Sequence, residues 1–411
     1  MEKIGKYITN YIKGKTPKVL FDSELDDTLP YLSPDYLRGV SAPELYAKQD
    51  AKTIVIDDGE VIVLWDGSNA GEILISKKGI LASTMTMLQF DETEINKAYF
   101  GYSFQNLEYI LKAKTAGSGI PHADKGVISK LEFYKPSPHE QTAIANILSK
   151  VDEAIASVQG SIAAAERLKK SLMQNLLTGR MKPDGTLRKE DEFYMDEKFG
   201  KVPMGWEVKA VGDKSVCHIN PNYKYKKKEL YDFVPMEAVR ENFGGLDFVE
   251  KQVIDNGSYT RFKVGDILFA KITPCSENGK VAYIEHIDSE VGFASTEFIV
   301  FQPTDNVNGR FVYLLLASEN VHRLAISLME GTTGRQRIPW KIFRNRIFVP
   351  MPEKDEQTEI VNRLVSFDKL ITDKKLKIAT LERLKKSLMQ NLLTGRVRVK
   401  MNNTIKNDEY E

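Results

Sequence analysis

The stretch GTTGRQRIPWK, residues 331–341, sets two guanidinium groups beside a side-chain amide. Arg335 and Arg337 each offer a planar fork of N–H donors, and Gln336 offers a donor and an acceptor in one plane. These side chains suit the edges of guanine and adenine. Gly331 and Gly334 allow a mobile or sharply turned loop. A second stretch, NYKYKKK, interleaves Tyr223 and Tyr225 with Lys224, Lys226, Lys227 and Lys228. Lysine ammonium groups and tyrosine hydroxyls can meet phosphate oxygens. The same pattern also fits a solvated edge strand guarded by lysine, and the alternative for the arginines is pairing with acidic neighbours.

Other chemistry finds no support. NPNY at Asn220–Tyr223 is similar to the Asn-Pro-Pro-Tyr motif of amino-methyltransferases, but Asn222 replaces the second proline and no glycine-rich S-adenosylmethionine loop precedes it. There is no Walker A motif, which removes a translocase. The histidines His122, His139, His218, His286 and His322 are scattered. Cys217 and Cys275 lack partners at metal-ligand spacing, so no metal site or disulfide framework is expected and a reducing, cytoplasmic location fits. No apolar run is long enough to span a bilayer, and MEKIGKYITNYIKGK has no signal-peptide core. A chain of 411 residues, 42% hydrophobic and 28% charged, is expected to be soluble and to form two or more domains. The net charge of +1 announces neither a nucleic-acid nor a membrane partner.

The elements that would carry these side chains are organised by a repeat. ERLKKSLMQNLLTGR occurs at Glu166–Arg180 and again, 216 residues later, at Glu382–Arg396. Upstream, EQTAIANIL at Glu140–Leu148 faces EQTEIVNRL at Glu356–Leu364. Ile144, Leu148, Val151, Ile155, Val158, Ile162 and Ala165 follow alternating steps of four and three, an a/d seam. Leu168, Leu172 and Leu176 continue it after a local shift. Ile360, Leu364, Phe367, Ile371, Ile378, Leu381, Leu384, Leu388 and Leu392 trace the same path, with Lys374 interrupting it. Gly179 and Gly395 supply the stops. Two long helices that pack against each other are expected, rather than two separate core helices.

Between the helices lie globular segments of α+β type, residues 1–135 and 206–350, with the first helix at 136–180, a linker at 181–205, the second helix at 351–396 and a polar tail at 397–411. TIVIDDGEVIVLWDG suggests a hairpin about Asp58-Gly59, and RFVYLLLASENVHRLAISLME reads as one helical stretch. GEVIVLWDGSNAGEI resembles GDILFAKITPCSENGKV, and TAGSGIPHADKGVISK resembles GTTGRQRIPWKIFRNR. By this correspondence Ser118, His122 and Lys125 join the arginine loop as candidates, as do Lys271 and Thr273 with Trp65 and Ser68. Segment one holds 16 Lys+Arg against 19 Asp+Glu and segment two 19 against 18, so any nucleic-acid face must come from local clusters.

The layout resembles the specificity subunit of type I restriction-modification systems. The features that carry the resemblance are LKKSLMQNLLTGR at both helix ends, the proline-to-glutamine approaches Pro136–Gln141 and Pro352–Gln357, and KVPMGWEV at Lys201–Val208. The first half begins at EKIGKYI without that Pro-x-Gly-Trp opening. The resemblance implies two similar α+β target recognition domains separated by two long antiparallel coiled-coil helices in pseudo-two-fold arrangement. It implies a non-catalytic subunit that reads a bipartite, asymmetric site in double-stranded DNA, one half per domain. It further implies docking of two methyltransferase subunits, which carry S-adenosylmethionine while this chain binds no cofactor, and restriction subunits in the full complex. Leu168, Leu172, Leu176, Leu384, Leu388 and Leu392 are the candidate docking residues. A spacer of roughly 50 Å would cover on the order of 15 base pairs. A structural adaptor with two protein-binding domains is the competing expectation.

Overall fold

The computed structural model describes residues 1–115, 121–255, 258–332 and 334–399. The chain forms two compact units, one from residues 1–160 with the chain from 375 onward, the other from 161–374. Each unit therefore owns one globular segment, the start of one long helix and the end of the other.

Strand for strand, the units follow one plan. The first unit has a sheet ordered Ile8–Lys13, Met85–Phe90, Val61–Leu64, Ile73–Ile75, and a second ordered Tyr46–Lys48, Thr28–Leu32, Gly79–Leu81, Val55–Ile56. The second unit repeats this with Cys217–Ile219, Phe298–Pro303, Ile267–Ala270, Val281–Tyr283, and with Glu250–Ile254, Glu229–Val234, Gly292–Ala294, Thr260–Phe262. In both, the second sheet has a parallel pair at its centre and antiparallel edges. The unbroken apolar runs Val61–Leu64 and Ile267–Ala270 are central because side chains alternate across a strand. Val61 and Val63 enter one core while Ile62 and Leu64 enter another. Ile267 and Phe269 part from Leu268 and Ala270 in the same way.

This arrangement overrides the expected hairpin about Asp58-Gly59. Val61–Leu64 uses both edges, pairing with Ile73–Ile75 and Met85–Phe90, so Val55–Ile56 has no free edge beside it. Val55–Ile56 pairs with Gly79–Leu81 in the other sheet instead, and Gly59, at φ 82°, turns the chain between sheets. The expected single helical stretch in the second unit is two helices, Gly309–Leu316 and Glu319–Ser327, because Ser318 adopts an extended backbone and caps the second. The stretch 181–205, expected as a linker, is ordered. It carries a hairpin, Phe193–Asp196 with Gly200–Pro203. Tyr194 donates to the Trp206 carbonyl at 2.9 Å, and Val202 is fully buried.

The long helices run Pro138–Leu177 and Lys354–Leu392. In each unit they pair antiparallel. Lys385 meets Asp152 at 2.7 Å in the first unit, and Lys169 meets Asp368 at 2.5 Å in the second. These are one pair of repeat positions used twice. They also revise the seam. No shift occurs at Leu168, which is 51% exposed; Lys169 takes the next seam position, and Leu172 and Leu176 follow in register. The lysine stem covers the seam while its amine reaches the facing aspartate.

The approach to each long helix has a specific job. Gln141 and Gln357 are almost completely buried. Gln141 Nε2 donates to the Pro136 carbonyl at 3.1 Å, and its Oε1 accepts from Asn96 N at 2.9 Å. Gln357 Nε2 donates to Pro352 O at 2.8 Å, and its Oε1 accepts from Asn308 N at 2.8 Å. Asn96 and Asn308 are the N-caps of the domain helices Lys97–Ala113 and Gly309–Leu316. The preceding glutamates bind arginines that follow the other helix. Glu140 accepts from Arg398 at 2.8 and 2.6 Å, and Glu356 accepts from Arg188 at 2.5 Å and from Trp206 Nε1 at 2.9 Å.

Replacing Gln357 with Leu strands a backbone N–H and a carbonyl in the interior. Urea unfolding of the Gln357→Leu chain is expected to show a loss of about 1–3 kcal/mol, and Gln141→Leu a similar loss. An unchanged unfolding midpoint for both would contradict this role.

Candidate nucleic-acid interface

The candidate residues gather where each unit closes one strand against a loop with the same backbone bridge. In the first unit Asp66 bridges His122. Ala123 N donates to Trp65 O at 2.9 Å, Gly67 N to Pro121 O at 3.1 Å, and Trp65 N to Thr84 O at 2.7 Å. In the second unit Ile272 bridges Arg337. Ile338 N donates to Lys271 O at 2.8 Å, Thr273 N to Gln336 O at 3.1 Å, and Lys271 N to Glu297 O at 2.9 Å. Backbone equivalence thus sets Trp65 against Lys271, His122 against Arg337 and Thr84 against Glu297.

On this shared frame the side chains differ. His122 Nδ1 donates to Asp66 Oδ1 at 2.6 Å, since an ionised carboxylate only accepts. Lys13 Nζ donates to Asp66 Oδ2 at 3.0 Å. Burial pushes the Asp66 carboxyl up, but the bonds from His122 and Lys13 outweigh it and hold it below the usual carboxylate range. Tyr11 meets Trp65 edge-on at 6.1 Å, and the Lys125 amine lies 4.7 Å from the Tyr11 ring. Trp65, His122 and Lys125 are therefore drawn together, with Ser68 exposed on the adjoining turn. Ser118 lies outside the described residues.

In the second unit Arg337 binds Glu297 through Nε at 3.0 Å and Nη2 at 2.9 Å. Its hydrogen bonds hold the Glu297 carboxyl down against burial. Arg335 is exposed and Gln336 half-buried on the same loop, with Lys271 and Thr273 half-buried on the facing strand end. Trp340 is partly exposed beside them, with the Arg344 guanidinium 4.9 Å from its ring centre. Sequence reading missed Lys13, Asp66, Glu297 and Trp340. Of these, Trp340 alone carried a local signal, three residues after Arg337 in the same stretch.

The lysine-tyrosine stretch needs correction. Residues 221–226 belong to no strand, so the edge-strand alternative does not hold. Lys224, Lys226, Lys227 and Lys228 are exposed, but the tyrosines face inward. Tyr223 donates to Asp266 Oδ2 at 2.8 Å, which commits its hydroxyl. Tyr225 packs edge-on against Phe293 at 5.1 Å, with Arg261 4.6 Å from its ring. The candidate docking leucines divide as well. Leu176 and Leu392 are buried, Leu172 nearly so and Leu388 half-buried, all packed into the cores of their own units. Leu172, Leu176 and Leu392 therefore offer no surface to a partner. Leu168 and Leu384 are exposed, at 51% and 47%.

A family model described as type I restriction modification DNA specificity domain matches residues 6–167 and 203–383. The chain belongs to this family. One specificity-domain relative, the type I restriction enzyme MjaVIII specificity subunit of Methanocaldococcus jannaschii, is 32% identical over 97% of this chain and 92% of its own. The MjaIX specificity subunit of the same organism is 22% identical over 94% of this chain and 90% of its own. The crystal structure of the type I restriction-modification S subunit from M. genitalium shares the fold with a TM-score of 0.55 and 15% identity, covering 95% of each chain. The chain is a DNA-specificity subunit of the type I restriction-modification class, built as two similar α+β domains with long antiparallel helices. Among its described residues no helix is long and apolar enough to cross a membrane, and no cluster of His, Cys, Asp or Glu could hold a metal ion.

Asp266, which anchors Tyr223, gives the second unit a pH dependence. Burial raises its carboxyl to about 6. Between about pH 4 and 6 the unfolded chain ionises this group while the folded chain keeps its proton. The contribution of this group to stability therefore falls as pH rises through that window, by about 3 kcal/mol. In urea unfolding, Asp266→Asn is expected to flatten this slope. A variant with the same slope as the parent would assign the dependence elsewhere.

Proposed function

We propose that each unit reads one half of a bipartite site in double-stranded DNA, and that the two helix ends dock methyltransferase subunits. The observation that carries the reading is the shared bridge with different side chains. One backbone frame presents His122 with Asp66 in one unit and Arg337 with Glu297 in the other. A frame kept alike while its hydrogen-bonding groups diverge suits two related readers of unlike half-sites. Trp65, Ser68, Ser118, His122 and Lys125 belong to one reader. Lys271, Thr273, Arg335, Gln336 and Arg337 belong to the other, and the exposed Lys224, Lys226 and Lys227 are assigned to phosphates.

The docking proposal rests on what the repeat keeps. Buried positions of a helix require only apolar shape, yet the exposed positions are identical too. Arg167, Leu168, Lys170, Ser171 and Gln174 recur as Arg383, Leu384, Lys386, Ser387 and Gln390, and all ten are exposed. One surface presented twice suits two copies of one partner. In this reading the chain performs no catalysis and binds no cofactor itself. S-adenosylmethionine belongs to the methyltransferase subunits, restriction subunits join through the assembled complex, and the whole acts in the cytoplasm.

Two outcomes test this. Reconstituted with its methyltransferase subunits, the double charge reversal Arg335→Glu and Arg337→Glu is expected to change methylation at one half-site and leave base preference in the other intact. Loss of preference in both halves together would refute separate readers. Leu168→Glu with Leu384→Glu is expected to weaken co-purification of a methyltransferase subunit roughly tenfold or more with the unfolding midpoint unchanged. Normal assembly would place docking elsewhere.

A further inference from the structure

The Arg337–Glu297 pair is built differently from an incidental surface ion pair. Arg337 is held at the backbone on two sides. It exchanges hydrogen bonds with Glu330, N to O at 2.8 Å and O from N at 2.9 Å. The next residue, Ile338, is buried and bonded to Lys271. Glu297 is fixed as well, because its carbonyl accepts from Lys271 N at 2.9 Å. Both backbones are thus tied to one strand end, and the side chains meet through two parallel bonds.

That geometry selects which edge of the guanidinium remains for a ligand. Nε and Nη2 on one side are turned toward the carboxylate, which leaves the outer Nη1–Nη2 edge with two N–H groups pointing away from it. The Arg337 side chain is 48% exposed, and neither of the two bonds to Glu297 uses Nη1. Two parallel donors match two adjacent acceptors. In the major groove guanine alone offers that pair, at O6 and N7. Adenine and cytosine would each oppose a donor with a donor, and thymine offers a single acceptor beside a methyl group.

We infer that Glu297 is a positioning residue that orients Arg337 to read one guanine in the half-site recognised by the second unit. The inference rests on the proposal that this unit reads DNA. The first unit has His122 at the equivalent position, so the guanine fork belongs to one half-site only.

The test uses the whole chain reconstituted with its methyltransferase subunits, on a DNA library randomised over the recognised motif, with methylated positions sequenced. Arg337→Ala is expected to relax discrimination at a single G·C pair by at least about tenfold. Arg337→Lys, which keeps charge but loses the fork, should relax the same pair while retaining more overall activity. Glu297→Gln should relax that same pair, and the Glu297→Gln, Arg337→Ala double variant should be no less specific than Arg337→Ala alone. If Glu297→Gln leaves every preference intact, or slows methylation equally on all sequences, Glu297 is not a positioning residue. If Arg337→Ala relaxes an A·T pair, the guanine assignment is wrong while the reading role stands. If Arg337→Ala leaves the entire motif unchanged, Arg337 reads no base and the inference falls, whereas loss of preference in both halves in the Arg335→Glu, Arg337→Glu variant is the result that overturns the underlying proposal.

Discussion

A buried glutamine must find partners for both ends of its amide, and at the start of each long helix that demand organises a whole unit. Gln141 and Gln357 each tie a proline-marked approach to the N-cap of a domain helix. The glutamate before each one then requires a cation, and an arginine beyond the other helix provides it. Leaving either group unpaired in the interior would cost more than its bond contributes when made. Each unit is consequently complete only when it contains the beginning of one helix and the end of the other. The repeat in the sequence is thus a repeat of interlocking ends, each half of the lock lying far away in the chain.

The interlock explains why the repeated fifteen residues stayed alike in two respects at once. Their inner face packs into a core through Leu172, Leu176 and Leu177, or through Leu388, Leu392 and Leu393. Their glycines turn the chain at φ 68° and 72° against a close neighbour, Pro203 for Gly179 and Tyr134 for Gly395. These constraints bear on the inner face and the stop. They leave the outer face free to vary, so its identity in the two copies calls for a separate cause, which in the proposed reading is a shared partner.

Much of this architecture was legible in the sequence because helical periodicity is local. Ile144 through Ala165 declare their face within a few turns. Lys169 escaped because apolar spacing is read from apolar letters, and a lysine can lend its stem to a seam. The expected hairpin about Asp58-Gly59 failed for the opposite reason. Its turn signal is strong by itself, but the strand that follows is buried on both faces and takes its neighbours from farther along the chain. At the candidate interface, Arg335, Gln336 and Arg337 stood out by type and adjacency. The carboxylates that pair with Arg337 and with its equivalent His122 did not. Asp66 lies 56 residues from His122, and Glu297 lies 40 from Arg337. Only strand register brings these pairs together, and register is a property of the folded sheet.

The same distinction separates what recognition keeps from what it changes. The bridge is made of backbone hydrogen bonds, which any residue but proline can supply at the donor positions, so the frame survives exchange of the other side chains on it. Trp65 and Lys271 occupy one position and share one bond to the facing loop. What changes is which group projects from the frame and where its orienting carboxylate originates. Asp66 rises from the bridging strand, whereas Glu297 comes from the position of Thr84 in the neighbouring segment. A carboxylate that reaches its partner from a different side leaves a different edge of that partner exposed. New hydrogen-bonding faces can therefore arise on an unchanged fold by exchanging a side chain together with the position of its counter-ion.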